Sequence, residues 1–367
     1  MTENYNNDSS SMSFFKNIYN NLVTGNQGKT VQVYSTVQEE YESLINGAGL
    51  YDLTGSAVIE MRGKDSLEYL HRISTNALKE LKSGEAAVTL FTNEKGRMID
   101  RATVLNMGEY LLLTGSQACR NKLLGWINKY IIMEDIKAAD RTDSSSVFEM
   151  AGSQSRVFLS MIFGDGVDSL QSGKVLMAEV EGRKFTLVLK DEFSINKYII
   201  ISKAEDTEFL LSYMYEHKSV FDFRPVGKAA HDIFRIVLGI PEAPGEINDN
   251  YNPHEANLVS DISFTKGCYI GQEVIARLDT YNKVQKKLSL LVFDEPVESS
   301  DEPLRLLGEG GREAGVITSV AQSLKKDKSI ALAYIRNEES AEGTKLTAVS
   351  PEGKAYSASI CSFGLRK

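Results

Sequence analysis

The sequence predicts an α+β protein with a small β domain at its C-terminal end. Between about residue 38 and residue 240, segments with helical and strand-like apolar spacing alternate irregularly. From Lys286 onward the chain contains only short β segments, separated by turns rich in Gly, Ser and Asp, which is typical of a small all-β domain. A chain of 367 residues is large for one hydrophobic core, so two or three domains are expected.

The first half of the chain begins with a polar stretch and continues with alternating elements. Residues 1–30 are rich in Asn and Ser and are predicted to form a mobile tail, with room for a short helix at Phe14–Val23. Helices are expected at residues 38–49 and at Lys64–Ile73, where apolar residues have helical spacing. Strands are predicted at residues 57–63, 87–92, 98–106 and 109–114, followed by a helix around Trp126.

The second half is divided by a boundary near residues 283–287. Before it, residues 185–189 and 198–202 are predicted strands, and residues 209–215 and 230–238 are predicted helices. After it, the β segments are predicted at residues 288–293, 315–320 and 330–336. The predicted organisation is therefore an α+β region at residues 31–285 and a β domain at residues 286–367.

Composition excludes several classes of function. The net charge of −9 disfavours a general nucleic-acid binder, and the basic cluster of Arg277, Lys283, Lys286 and Lys287 is interpreted as a solvated face. No apolar run approaches the roughly 20 residues that span a bilayer, so no membrane association is expected. The polar, acidic residues 1–8 do not resemble a signal peptide, and a cytoplasmic location is expected.

The three cysteines, Cys119, Cys268 and Cys361, are odd in number and far apart. This spacing indicates a reducing compartment and disfavours a disulfide framework. No Cys pair and none of the four His has the spacing of metal ligands, so no metal site is predicted. Cys119 and Cys361 are interpreted as structural residues.

The most informative segment is Lys266-Gly267-Cys268-Tyr269-Ile270-Gly271-Gln272-Glu273, which runs into a helix-like stretch. Glycines allow sharp bends, and thiolates form most readily near cations and helix N-termini. Cys268 is therefore a candidate functional thiol, acting as a nucleophile, a redox thiol or a transient ligand of a cluster shared with a partner. The alternative is a small buried hydrophobic residue.

The neighbours of Cys268 have alternative interpretations too. Lys266 either lowers the pKa of the thiol or is an ordinary surface lysine. Gln272 and Glu273 fall in the first helical turn, where an acidic residue favours the helix dipole. Arg277 is four residues after Glu273, so an ion pair between them would explain both. Tyr269 is expected to pack under the loop.

Taken in order, several short segments resemble the glycine-cleavage T-protein (GcvT) family over about residues 38–365. These segments are residues 49–55, 63–65, 75–76, 90–96, 235–241, 252–256, 315–319 and 330–336.

The pattern K-G-C-Y-x-G-Q-E resembles the YgfZ branch, whose mitochondrial relative helps to mature iron–sulfur proteins. The resemblance implies a ring of three domains around a central opening where tetrahydrofolate can sit. Two folate-binding-type lobes would form residues 31–285, and a β-barrel would follow.

The chain departs from the family's aminomethyltransferases where their transfer carboxylate stands. The family has an Asp-Asp pair, and this chain has Asp100-Arg101. A cation there disfavours a protonated amine through charge repulsion. Asp100 and Arg101 stay candidate folate-binding residues, although Asp100 is equally explained as a polar residue of a strand.

Other expected folate contacts are also changed. Alignment by eye places Gly115, Ile200, His231 and Val237 where the family has Asn, Glu, Arg and Glu. Ile and Val supply no hydrogen bond to a pterin ring.

Three hypotheses remain. The leading one is a YgfZ-like protein that supports iron–sulfur cluster assembly or repair through Cys268, with client or assembly proteins as partners. The alternative is a tetrahydrofolate-dependent aminomethyltransferase or other one-carbon enzyme. The third is a non-catalytic folate-binding scaffold.

Overall fold

The computed structural model describes residues 30–281, 284–298, 302–324 and 327–365. Most of the predicted tail, with the candidate helix at Phe14–Val23, and Lys283 lie outside these ranges. The helices are α1 Val37–Asn46, α2 Ser66–Ile73, α3 Arg120–Lys129, α4 Ser155–Phe163, α5 Thr207–Glu216, α6 Lys228–Leu238 and α7 Gln272–Tyr281. The strands are β1 Ala48–Asp52, β2 Val58–Arg62, β3 Ala86–Thr92, β4 Met98–Asn106, β5 Leu111–Thr114, β6 Lys137–Asp140, β7 Ser145–Ala151, β8 Val175–Val180, β9 Arg183–Glu192, β10 Ile195–Lys203, β11 Phe223–Val226, β12 Lys286–Phe293, β13 Arg305–Leu307, β14 Glu313–Gln322, β15 Ser329–Arg336, β16 Lys345–Val349 and β17 Ala355–Cys361.

Two sheets and one barrel make up the fold. The first lobe is a five-stranded sheet of order β3-β4-β5-β2-β6, and the second is a six-stranded sheet of order β11-β1-β7-β10-β9-β8. Strands β12–β17 close into a six-stranded barrel. The α+β class and the C-terminal barrel predicted from the sequence are confirmed. None of the helices in the described part of the chain is long and apolar enough to cross a membrane.

Each lobe has its own apolar core, and a further cluster joins the lobes. Phe158 and Phe185 are buried in the second lobe, and Tyr69 and Phe91 are buried in the first. Burying a side chain of this size contributes about 1.5–3 kcal/mol, so each core can hold its lobe together. The cluster between the two sheets is built from the buried residues Val58, Ala86, Leu105, Leu112, Val147, Val188, Ile199 and Ile201.

The barrel is fixed to α6 by a buried polar link. Arg235 of α6 donates from Nη2 to Ser319 Oγ of β14 (2.9 Å), and Ser319 donates to Glu246 Oε1 (2.7 Å). Tyr334 of β15 stacks on Tyr251 with ring centroids 3.5 Å apart. These contacts hold the barrel against the lobes, so that residues of all three parts face one central space.

The first helix ends earlier than the sequence predicts. Apolar spacing extends to residue 49, but α1 stops at Asn46 because the chain turns at Gly47 to start β1. Ala48 N donates to Asp222 O (2.9 Å), and a Cβ on Gly47 would lie 2.5 Å from that same oxygen. Gly47 therefore permits a close approach that leads β1 alongside β11.

Candidate functional site

A cavity of about 1200 Å³ lies where the two lobes and the barrel meet. Its walls include Arg101 of β4, Lys197 of β10, His231 of α6 and Ser319 of β14. A second cavity of about 540 Å³ shares Arg101, Thr103 and Lys190 with the first. The volume of the larger cavity suits a cofactor-sized ligand.

Arg101 is one of the predicted site residues, and it lies in the wall between the two cavities. Its Nε donates to Asp261 Oδ2 (2.7 Å), and its Nη2 donates to Glu192 Oε2. Burial opposes the charge of Arg101, but the two carboxylates outweigh burial and raise the pKa of the guanidinium. Arg101 is thus a permanent cation that ties β4 to β9 and to the segment that contains Asp261.

Asp100 points away from the cavity. It is fully buried; its Oδ1 accepts from Arg101 N (2.9 Å) and Ser116 Oγ (2.6 Å), and its Oδ2 accepts from Ser116 N (3.0 Å). Burial raises the pKa of this carboxyl despite those bonds. A Cβ on the neighbouring Gly115 would lie 2.6 Å from Asp100 Oδ2, so a larger residue does not fit there. Asp100 supports the cavity wall, and this position does not suit the predicted direct contact with folate.

A second charged group in the cavity centres on Glu149 of β7. Lys197 Nζ lies 3.0 Å from Glu149 Oε2, and His231 Nε2 lies 3.3 Å from Glu149 Oε1. Burial would raise the pKa of Glu149, but Lys197 and His231 outweigh it and lower the pKa to about 2. The His231 ring stacks on Tyr51 with centroids 3.7 Å apart. Glu149 is therefore an anion whose partners are already in place.

Glu192 links this group to Arg101. Its Oε2 accepts from Arg101, whereas its buried Oε1 has no hydrogen-bond partner within the described chain. Lys197 Nζ lies 3.5 Å and Lys190 Nζ 3.9 Å from that oxygen. The charged residues that line either of the two cavities and contact one another are called the cavity cluster below: Arg101, Glu149, Lys190, Glu192, Lys197 and Asp261. Of these, the sequence analysis identified only Arg101.

The other cluster members had one usable signal in the sequence. Glu149 interrupts the apolar run of β7, and Lys197 begins that of β10, yet both are buried. Charged residues are almost never fully buried unless they are paired, so charges inside apolar strands indicate a polar site.

Ile200, one of the positions of an expected folate contact, does not face the cavity. Ile200 is fully buried in the core of the second lobe, and the cavity is lined by Ile199 and Lys197 instead. Successive side chains of a strand point to opposite faces, so a slip of one residue exchanges core and cavity positions. Val237 packs against an apolar cluster and is not among the cavity-lining residues, whereas Gly115 and His231 are.

The Cys268 loop, residues 263–271, lies apart from both cavities. Cys268 is exposed, which excludes the alternative of a buried hydrophobic residue, and neither cavity includes it. Tyr269 packs under the loop as predicted and is buried. Thr92 Oγ1 donates to Ile270 O (2.7 Å), which fixes the end of the loop to β3. The loop therefore presents the thiol to solvent from a held backbone.

Lys266 is the main anchor of this loop. Its Nζ donates to three backbone carbonyls, those of His71, Ser74 (2.7 Å) and Asn76 (2.8 Å). Burial lowers the pKa of this amine to about 8. An ammonium has three protons, so these three carbonyls use all of its donors, and Lys266 is not the surface lysine considered above.

Gly271 and α7 complete the motif. Gly271 has a φ of +85°, and a Cβ there would lie 2.5 Å from Asn93 O, so this position requires glycine. Gln272 begins α7, and Glu273 is exposed in its first turn. Glu273 and Arg277 are both described, yet no ion pair joins them, so that explanation for the two residues was wrong.

The remaining thiols and histidines form no further centre. Burial, and after it the charge of Asp100, raises the pKa of Cys119 to about 12. Cys361 ends β17 and is half-buried. Within the described ranges, no three His, Cys, Asp or Glu side chains are grouped so that they could hold a metal ion.

Comparison with known proteins places this geometry in context. Residues 11–266 match the GCVT N-terminal domain, and residues 286–365 match the glycine cleavage T-protein C-terminal barrel domain. A chloroplastic putative transferase of Arabidopsis thaliana is 26% identical over 86% of this chain and 72% of its own length. An aminomethyltransferase of Symbiobacterium thermophilum is 26% identical over 89% of this chain and 88% of its own. The crystal structure of glycine cleavage system aminomethyltransferase T from Bartonella henselae has a TM-score of 0.76 at 17% identity and covers 89% of this chain and 88% of that one.

Proposed function

Since the chain belongs to the glycine cleavage T-protein family, we propose that its central cavity binds tetrahydrofolate. The observation that carries this proposal is the Arg101 guanidinium in the wall of a cavity of about 1200 Å³, where its Nη1 has no hydrogen-bond partner within the described chain. The carbonyl oxygen and ring nitrogens of a pterin accept hydrogen bonds, and Arg101 Nη1 would donate one. The residues present thus fit the ligand, with Arg101 as donor and the walls of both lobes around it.

Calorimetric titration with tetrahydrofolate tests the binding step. We expect one binding site per chain, with a heat that disappears when the cavity is occupied by a competing folate analogue. Absence of binding to the wild-type protein would overturn the proposal.

For the reaction, we propose one-carbon transfer, since relatives covering most of both chains are named aminomethyltransferases. Bound tetrahydrofolate would supply the acceptor for the one-carbon unit. Arg101 stands where the enzymes are expected to have a carboxylate, but Glu192 and Asp261 bring two carboxylates to the same guanidinium. Folate-dependent turnover of an aminomethyl or methylated amine donor tests this proposal. Binding without turnover of either donor class would favour a folate-binding scaffold.

A second candidate function rests on the Cys268 loop. An exposed thiol on a loop held by Lys266, Thr92 and Gly271 supports a role in iron–sulfur cluster assembly or repair, as in the YgfZ branch. The cluster and its client protein would be the substrates. Rescue of iron–sulfur enzyme activity in cells lacking the endogenous factor tests it. Cys268→Ala should fail and Cys361→Ala should succeed, whereas full rescue by Cys268→Ala would exclude a role for the thiol.

A further inference from the structure

Lys190 is a cavity residue that the proposed function does not use. It lies near the C-terminal end of β9, with its side chain 17% exposed, in the wall shared by the two cavities. Its position gives a small molecule access to the amine from either side.

The amine of Lys190 is poorly paired. Its nearest carboxylate oxygen is Glu192 Oε1 at 3.9 Å, which is too far for a hydrogen bond, and Lys197 lies closer to that oxygen at 3.5 Å. The other oxygen of Glu192 is taken by Arg101. Lys190 Nζ has no hydrogen bond within the described residues, and it is not among the polar atoms sealed from solvent. The donors of Lys190 are therefore open to the cavity.

The surroundings of Lys190 favour its neutral form. Burial is the largest cause and lowers the pKa of Lys190. The negative charge of Glu192 opposes this effect, whereas the positive charges of Arg101 and Lys197 strengthen it, and the net result is a lowered pKa. A lysine beside another cation is a known arrangement for an amine nucleophile that attacks carbonyl groups.

A hydrogen-bond donor for a carbonyl oxygen is close by. Arg101 uses Nε and Nη2 on Asp261 and Glu192, while its Nη1 has no partner within the described chain and is not sealed from solvent. Glu192 joins both residues, since one of its oxygens accepts from Arg101 and the other faces Lys190.

The charge balance disfavours an anionic ligand. With Lys190 neutral, the cavity cluster contains two cations, Arg101 and Lys197, and three carboxylates, Glu149, Glu192 and Asp261. No excess positive charge remains to attract an anion. We propose that Lys190 is a nucleophile that captures a small uncharged aldehyde as an imine, with Arg101 Nη1 donating to the aldehyde oxygen.

The step balances without an external oxidant or reductant. The nitrogen of Lys190 forms a bond to the aldehyde carbon, and the carbon–oxygen bond breaks after the carbinolamine. The neutral amine and the aldehyde give an imine and water, because both hydrogens of the amine leave with the aldehyde oxygen. A proton taken up from water then gives the iminium ion, whose positive charge lies beside Glu192.

Reductive trapping tests this inference on the full-length protein. Wild-type protein is incubated with acetaldehyde and cyanoborohydride, and the rate of ethylation of each lysine is followed by peptide mapping. Lys184 is the matched control, because it is exposed on the same strand, β9. We expect Lys190 to react about tenfold or more faster than Lys184, because a larger fraction of its amine is unprotonated. We also expect the rate at Lys190 to saturate with acetaldehyde while that at Lys184 stays linear.

Two results would overturn the inference: equal rates at the two lysines, or a rate at Lys190 that rises linearly with acetaldehyde. The Lys190→Arg variant should lose the fast, saturable reaction and keep the slow reaction at Lys184. Because the wild-type comparison stands alone, the test does not depend on how well that variant folds. Tetrahydrofolate takes no part in the assay, so the outcome is independent of folate binding.

Discussion

The cavity cluster and the Cys268 loop place their reactive groups in opposite environments. In the cluster, charges are buried, and most are held by partners from other strands, as Arg101 is by Glu192 and Asp261. In the loop, the Cys268 thiol is exposed to solvent, and contacts such as the hydrogen bond from Thr92 to Ile270 O hold the backbone around it. A buried group depends on its partners for its protonation state, whereas an exposed group depends on its anchors for its position. Changes in the first region should therefore affect stability and ligand binding, and changes in the second should affect loop position.

The largest contrast is expected between the exposed thiol of Cys268 and a buried thiol that lies behind the cavity wall. Cys119 is buried beside Asp100, and its pKa of about 12 leaves its thiolate fraction roughly a thousandfold below that of an ordinary cysteine. Iodoacetamide at neutral pH should therefore label Cys268 and leave Cys119 unmodified in the folded protein. Mass spectrometry of timed samples measures this, and similar rates at both would contradict the two environments.

Arg101→Asp tests how far the stability of the protein depends on the Arg101 guanidinium of the cavity cluster. The variant places three carboxylates together in a buried site, and breaking a buried pair costs about 3–5 kcal/mol. Urea unfolding should show this loss. Arg62→Asp is the control, because Arg62 is half-exposed in the same lobe and its ion pair with Glu60 is worth at most about 1 kcal/mol. Equal losses in the two variants would mean that the cluster is not a buried network.

Two glycines of the same motif give a matched pair for the Cys268 loop. Gly271→Ala forces a side chain into the left-handed region and against Asn93 O, at a cost of about 1–3 kcal/mol in the free energy of unfolding. Gly267 has no heavy atom within 4 Å of an added Cβ, so Gly267→Ala should cost at most about 0.5 kcal/mol. Urea unfolding compares them, and a larger loss from Gly267→Ala would refute the geometry of this loop.

The smallest expected effect is the pH dependence that Lys266 gives to the free energy of unfolding. Its pKa of about 8 in the folded protein lies below the ordinary 10.5, so the unfolded chain binds more protons between these two values. The stability of the wild type should therefore rise with pH across this window relative to Lys266→Met. Unfolding curves at several pH values measure the difference. The exposed Lys64→Met serves as control, and parallel curves for wild type and Lys266→Met would show that Lys266 is not buried.

Much of the fold follows from local patterns in the sequence. The predicted helix at residues 230–238 and the strands at 98–106 and 330–336 were found because their apolar spacing is long and regular. Strands β1, β6, β7, β8, β11, β13, β16 and β17 and helix α4 were missed. Five of these strands have three to five residues each, and β1 is fixed by pairing with β7 and β11 rather than by its own pattern.

The site was less predictable than the fold. Arg101 and the Cys268 motif stand out in the sequence, but Glu149, Glu192 and Lys197 come from three different strands. Their meeting depends on antiparallel pairings of β10 with β7 and with β9, which no local pattern determines. The placement of Ile200 in the core was unpredictable for the same reason, because strand register is set by tertiary pairing.

Tetrahydrofolate binding to Arg101→Gln tests the central claim, that the cavity beside Arg101 is the folate site. Calorimetry should show one site in the wild type and binding weakened about tenfold or more in Arg101→Gln, since losing a charged hydrogen-bond donor costs about 1.5–3 kcal/mol. Arg62→Gln is the matched control, because the Arg62 side chain is 52% exposed and lines neither cavity, and its affinity should equal that of the wild type. No binding to the wild type, or equal binding to Arg101→Gln, would contradict the claim.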